Sequence, residues 1–260
     1  SQRRLVFRYY SYTGDVCNEP GSKRSPARVF WWEVIPVSHV KVVALPKIGD
    51  IPIVCKTKRD ISIETPLDAR DDESLGWGYW NRIWPSEVAL SECLIHQFFP
   101  TKLQGAKVLE IGCGTGLAGV VAAQLGAFTM FSDMVPITLE AVKESCRLNH
   151  ISNFDTCLLN WSEKIEPKRH YNLVIGSEVF YEKGILAGIS HILEQVLTSK
   201  GNAMFCDPNR LGLDTIKRGF KEKFIVAIEE IPLNWPPRKG TGAEKKGFLY
   251  QLTRRSQGAF

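Results

Sequence analysis

VLEIGCGTGLAG, residues 108–119, decides how the rest of the chain is read. A short apolar run ends in glycines, and an apolar helical run follows. Such a strand–loop–helix can hug a nucleotide. The stretch contains G-x-G-x-x-G in the frame Gly114, Gly116, Gly119, the dinucleotide signature. It also contains a second frame, Gly112, Gly114, Gly116, with Glu110 two residues ahead. The two frames imply different cofactors and different reactions.

Outward from this stretch the pattern is regular. KVLEIG, FTMFSD, DTCLLNW, NLVIGSE and NAMFCD are short apolar runs that read as strands. Between them LAGVVAAQLG, PITLEAVKESCRLN and ILAGISHILEQVLTS read as helices, the first ended by Gly126 and the last running nearly to Gly201. LDTIKRGFKEK is a further helix, and Ser86 after Pro85 is placed to cap one ahead of the first strand. Strands this apolar are buried on both faces, so the alternation predicts an α/β fold with a doubly wound, mostly parallel sheet. FIVAIEEI and GFLYQLTR have no helix between them and should close the sheet as an antiparallel pair.

Residues 1–75 read differently, as an N-terminal extension to a domain over 76–260. HVKVVAL and IPIVCKT flank the turn PKIGD, the pattern of a β-hairpin. Phe30, Trp31 and Trp32 suggest further packed structure, 11–28 should be the loosest part, and ETPLDARDDESLG reads as a linker.

Composition narrows the class. The chain has 260 residues, 44% hydrophobic and 23% charged, an ordinary globular balance. Its seven Cys form no C-x-x-C pair, which points to reduced thiols, a cytoplasmic location and no zinc site. The five His show no metal-ligand spacing, so no metal is expected. No apolar stretch is long enough for a membrane span, and no secretory signal is visible. The net charge of +5 is dispersed rather than gathered into a patch, so neither nucleic acid nor membrane is an expected partner. Nothing sets the oligomeric state, and a monomer is favoured.

Which nucleotide, then? Asp133 ends the second strand, 23 residues after Glu110 (133 − 110), where a carboxylate can accept both ribose hydroxyls. That suits NAD or another adenosine cofactor. Glu110 discriminates, because a carboxylate so near a pyrophosphate would repel it. S-adenosylmethionine carries an ammonium, a sulfonium and no phosphate.

E-x-G-x-G-x-G, the acid at 133 and the closing antiparallel pair resemble class I, seven-strand S-adenosylmethionine-dependent methyltransferases with a Rossmann-like sheet. YWNRIWPSEVALSECL (79–94), NWS (160–162), GSEVFY (176–181) and DPNR (207–210) resemble segments of a group of small protein-lysine methyltransferases. DPNR resembles the D-P-G-R of the branch that includes the electron-transfer-flavoprotein β-subunit lysine methyltransferase. Asn160, Glu178 and Asn209 depart from that group's Asp, Asp and Gly. The resemblance implies S-adenosylmethionine held by Gly112, Gly114, Gly116, Asp133, Ser177 and Trp84, with Trp161 flanking the adenine and Glu110 near the methionine amino group. It implies that Glu178 and Tyr181 meet the nucleophile, with Asp207 and Arg210 at the same mouth and Trp80 structural or substrate-facing. The implied reaction is methyl transfer to a nitrogen, with a protein lysine as substrate. Three alternatives stay open: a small-molecule N-methyltransferase, an NAD-dependent oxidoreductase and a non-catalytic binding protein.

Overall fold

The computed structural model describes residues 40–56, 79–161, 170–236 and 245–255, together with the backbone of four short strands nearer the N-terminus. The chain divides into two compact units, Ser1–Val40 and Lys41–Phe260. In the first, β1 (Leu5–Phe7) pairs antiparallel with β4 (Val34–Pro36), and β2 (Tyr10–Tyr12) with β3 (Val29–Trp31). The side chains of Phe30, Trp31 and Trp32 lie outside the described residues, as do 13–28, most of the stretch expected to be loosest, and the linker at 64–76.

The second unit opens with the expected hairpin. Strands β5 (Val40–Leu45) and β6 (Gly49–Val54) form a two-stranded sheet across a turn in which Lys47 and Gly49 have positive φ. Val43, Leu45, Ile51 and Ile53 bury one face of it.

The main sheet has seven strands: β7 (Lys107–Ile111), β8 (Phe128–Asp133), β9 (Phe154–Leu158), β10 (Tyr171–Ser177), β11 (Leu197–Asp207), β12 (Phe224–Pro232) and β13 (Lys246–Arg254). Their order is β12-β13-β11-β10-β7-β8-β9. Strands β7 to β11 run parallel, and β13 is antiparallel to both β11 and β12. The doubly wound sheet with its closing antiparallel pair is therefore present.

Alternation along the strands divides the core in two. Val108, Leu173, Ile175 and Met204 face α1 (Pro85–Phe98), α2 (Leu117–Gln124) and α3 (Pro136–Leu148). Leu109, Ile111, Val174 and Phe205 face α4 (Ile185–Val196) and α5 (Leu213–Phe220). The hairpin is tied to the first layer, where Val54 N–H donates to Ser145 Oγ at 2.9 Å and Asn149 Nδ2 to the Pro52 carbonyl at 2.8 Å.

Three local readings are corrected. Ser86 does not cap α1: the N-cap is Trp84, with extended backbone, and Pro85 pre-sets the first turn. The helix over ILAGISHILEQVLTS ends at Val196, because Leu197 turns extended and pairs in parallel with Tyr171. The helix over LDTIKRGFKEK ends at Phe220.

Strand β7 lies at the switch point of the order, with β10 on one side and β8 on the other. In open α/β sheets the crevice beyond the strands' carboxyl ends at this point is the usual ligand site.

Candidate active site

A cavity of about 850 Å³ opens there. Its walls come from the loops after β7, β8, β9 and β10, from the segment leading into α1, and from Arg210 after β11.

The loop after β7 answers which glycine frame matters. Gly112, Gly114 and Gly116 have φ of 59, 49 and 75°, in the left-handed region where a side chain is strained. Gly119 belongs to the helix and has no such angle. It is needed because a Cβ there would come within 2.3 Å of Phe131 and 2.4 Å of Glu110 Oε2. The frame Gly112, Gly114, Gly116 shapes the loop, and Gly119 only lets α2 approach β8.

Asp133, at the end of β8, holds this loop. Its Oδ2 accepts Gly114 N–H at 2.9 Å and its Oδ1 accepts Val135 N–H at 2.9 Å. Burial pushes its carboxyl above the usual range, and these N–H groups oppose the shift. Gly112 and Gly114 line the cavity with Asp133, while Gly116 lies beyond its wall against Val142.

Glu110 is not at the cavity wall. It is 1% exposed, and Oε2 accepts Gly119 N–H at 3.2 Å, behind the loop. Burial first, and then Glu87, drive its carboxyl well above the ordinary value. The wall carries Glu87 instead, which the sequence reading did not single out. Thr115 Oγ1 donates to its carboxylate at 2.7 Å, and Leu117 N–H donates to Oε1 at 2.8 Å. An acid in the first turn of a helix is usually a solvated favourable charge. Nothing local distinguishes Glu87 from that case; the packing of α1 on α2 buries it.

The aromatic residues meet on two sides. Trp161 packs over Gly112, 6.3 Å from Tyr181 between ring centroids, and its Nε1 is buried without a hydrogen-bond partner among the described residues. Trp84 donates Nε1–H to the Tyr79 carbonyl at 2.8 Å and stacks on the Tyr79 ring at 6.2 Å. Trp80 also lines the cavity, its backbone beside Gly114.

Ser177 ends β10, and Glu178 follows with φ 55°, its N–H donating to the Cys206 carbonyl at 2.8 Å. Arg210 forms an ion pair with the Glu178 carboxylate and reaches the Glu178 carbonyl at 3.4 Å. Its own N–H is held by Asp207 Oδ1 at 2.9 Å, and its guanidinium lies 5.8 Å from the Trp84 ring centroid. Asp207 is fully buried and supports this turn rather than lining the cavity. Tyr181 is about half exposed at the mouth; partial burial first, then Glu182 and Asp133, push its phenol upward. Arg82, also at the mouth, is 5.1 Å from the Trp84 centroid and has no ion pair among the described residues.

The structure thus gathers Trp84, Gly112, Gly114, Asp133, Trp161, Ser177, Glu178 and Tyr181 around one cavity, and leaves Glu110 and Gly116 behind its wall. Among the described residues no cluster could hold a metal ion, and no helix is long and apolar enough to cross a membrane.

The histone-arginine methyltransferase METTL23 of Mus musculus is 30% identical over 138 residues, covering 50% of this chain and 54% of the relative. The electron transfer flavoprotein beta subunit lysine methyltransferase of Xenopus laevis is 29% identical over 135 residues, covering 51% and 53%. The chain spans about half the length of the curated relatives it matches. Among solved structures, PH0226 from Pyrococcus horikoshii OT3 superposes with a TM-score of 0.51 at 15% identity, covering 65% of this chain and 90% of that one. SMU.776, complexed with SAH, does so at 0.52 and 13%, covering 66% and 50%. These likenesses show the fold. The lysine methyltransferase family matches residues 62–230, most of the chain, and the chain belongs to that family.

Proposed function

We propose that this chain transfers a methyl group from S-adenosylmethionine to a nitrogen nucleophile, the side chain of a lysine in a protein. One observation carries the choice of cofactor: the start of α2 is already taken by carboxylates. A dinucleotide rests its pyrophosphate on such a helix start. Here Leu117 N–H bonds to Glu87 and Gly114 N–H to Asp133. A pyrophosphate would meet both carboxylates at close range in a low-dielectric site. A cofactor with cationic groups and no phosphate suits this floor. The other groups fit as well: Asp133 at the strand end for ribose hydroxyls, glycines that allow close approach, and the indole N–H of Trp161, which has no partner among the described residues. When bound, the cofactor supplies a methyl carbon activated by its sulfonium.

The chain's own residues then have a positioning task. The nucleophile must be neutral, desolvated and aligned. Glu178 draws a lysine ammonium inward, burial lowers that ammonium's pKa, and Tyr181 orients the nitrogen. Arg210 fixes the Glu178 side chain. The names of the family and of the relatives that act on lysine support this target. A second reading, arginine as target, is favoured by one observation: the corner between Glu178 and Trp84 already accommodates the Arg210 guanidinium. The METTL23 relatives are named for that target.

In this reading residues 76–260 are the transferase domain and 1–75 an extension. The protein works as a monomer in the cytoplasm on a protein substrate, without nucleic acid or membrane. The test is incubation with a protein extract and methyl-labelled cofactor, followed by identification of the labelled amino acid. Methyl-lysine is expected; methyl-arginine selects the second reading. Thermal stabilisation by NAD(H) and not by S-adenosylhomocysteine overturns both.

A further inference from the structure

Glu87 is the unexplained acid of this site. It is 2% exposed yet lines the cavity, and it makes no ion pair among the described residues. Its hydrogen-bond donors are a hydroxyl and backbone N–H groups, all neutral. A buried carboxylate without a cation is costly when ionised. Burial pushes it up to about 7, with Thr115, the Leu117 N–H and a Trp84 backbone bond opposing the shift and Glu178 adding to it. The titratable groups around it come from several elements: Glu110 on β7, Cys113 in the glycine loop, Glu178 after β10 and Cys55 after β6. None is a cation. Both thiols are themselves pushed up by burial, Cys55 to about 11, and stay neutral near pH 7. The acid expected from the sequence to meet the cofactor's amino group, Glu110, is behind the loop, and Glu87 stands at the wall in its stead.

We infer that Glu87 is a proton-linked acceptor for the cationic amino-acid end of the methyl donor. Its carboxyl releases its proton to solvent when the ammonium arrives and recovers it when the product leaves. This rests on the S-adenosylmethionine reading above. With Asp133 given to the ribose, the cavity wall at α1 and the start of α2 is where the amino-acid end meets a carboxylate. The sign follows from the raised proton affinity: below about pH 7 the acid is neutral and offers the ammonium little, and above it the ionised form attracts the ammonium fully. Affinity for any ligand with that ammonium should therefore rise between about pH 6 and about pH 8.

Calorimetry on the intact chain, in two buffers of different ionisation enthalpy, tests this with two probes. S-adenosylhomocysteine has the amino-acid end, and 5′-methylthioadenosine lacks it. Near pH 7 the first should bind with proton release and the second without. Glu87→Gln, which keeps the acceptor for Leu117 N–H, should abolish the release. It should also weaken S-adenosylhomocysteine about tenfold at high pH, as expected for one charge-assisted bond, and leave 5′-methylthioadenosine unchanged. Equal proton release in the variant, or a parallel loss of both ligands, overturns the inference. Should Glu87→Gln fail to fold, Thr115→Val removes one donor to the ionised form and should move the release to higher pH; an unmoved release overturns it equally. If the native chain binds neither probe, the cofactor reading itself fails, a result distinct from binding without proton release.

Discussion

The two sides of the cavity are built by different means. On the side of β7 and β8, backbone and buried carboxylates hold one another: Gly114 and Val135 N–H on Asp133, Leu117 N–H on Glu87, Gly119 N–H on Glu110. On the side of β10 and β11, long side chains meet at the solvent edge: Arg210 against Glu178, with Trp84 and Tyr181 nearby. The first side is shaped by the chain's own folding and offers a ligand a rigid floor. The second rests on side chains rather than backbone, with the arginine end of its ion pair 35% exposed and the carboxylate end 9% exposed. Changes on the floor should therefore affect folding and cofactor binding, and changes at the mouth should affect turnover.

The largest effect should come from the floor. In Gly116→Ala the new Cβ has φ 75° to accommodate and lies 2.7 Å from Val142 Cγ2. A left-handed non-glycine and an overpacked contact together should cost about 3 kcal/mol, read from the shift of a denaturant midpoint. A variant as stable as the parent would mean that the loop relaxes freely and is no rigid floor.

Next comes a mouth residue. Glu178→Ala should lower turnover about 10²-fold while S-adenosylhomocysteine affinity stays within a few-fold, because a misplaced nucleophile is slow even when the cofactor is well held. Loss of cofactor affinity equal to the loss of turnover would erase the division between the two sides. Tyr181→Phe should follow the same split with a smaller loss.

Asp133→Ala should weaken S-adenosylhomocysteine by about 1.5–3 kcal/mol in calorimetry, through the lost charge-assisted contacts. Some loss of stability should accompany it, since Gly114 and Val135 N–H lose their acceptor. Unchanged affinity would assign Asp133 to loop support alone.

The smallest change in stability should come from Arg210→Met. Its ion pair is partly solvated, so stability should move by less than about 1 kcal/mol while turnover falls about tenfold. A stability loss matching that of Gly116→Ala would place Arg210 among the structural residues.

Sequence alone determined what depends on local pattern. Period and turn chemistry named the parallel strands, the closing antiparallel pair, the hairpin and the helix after the glycine loop. They also brought Asp133, Trp161 and Glu178 to strand ends, and the strand ends meet because a parallel sheet puts them on one edge. The tertiary structure alone decided what depends on residues far apart in the chain. Pairing with Tyr171 drew Leu197 out of a helical pattern and into β11. Packing of α1 against α2 turned Glu87 from a first-turn acid into a buried one, and the approach of β10 to β11 joined Glu178 to Arg210 across 32 positions. Side-chain direction and burial are set by which surfaces meet, and a one-dimensional pattern records the period of an element but not the neighbour that covers it.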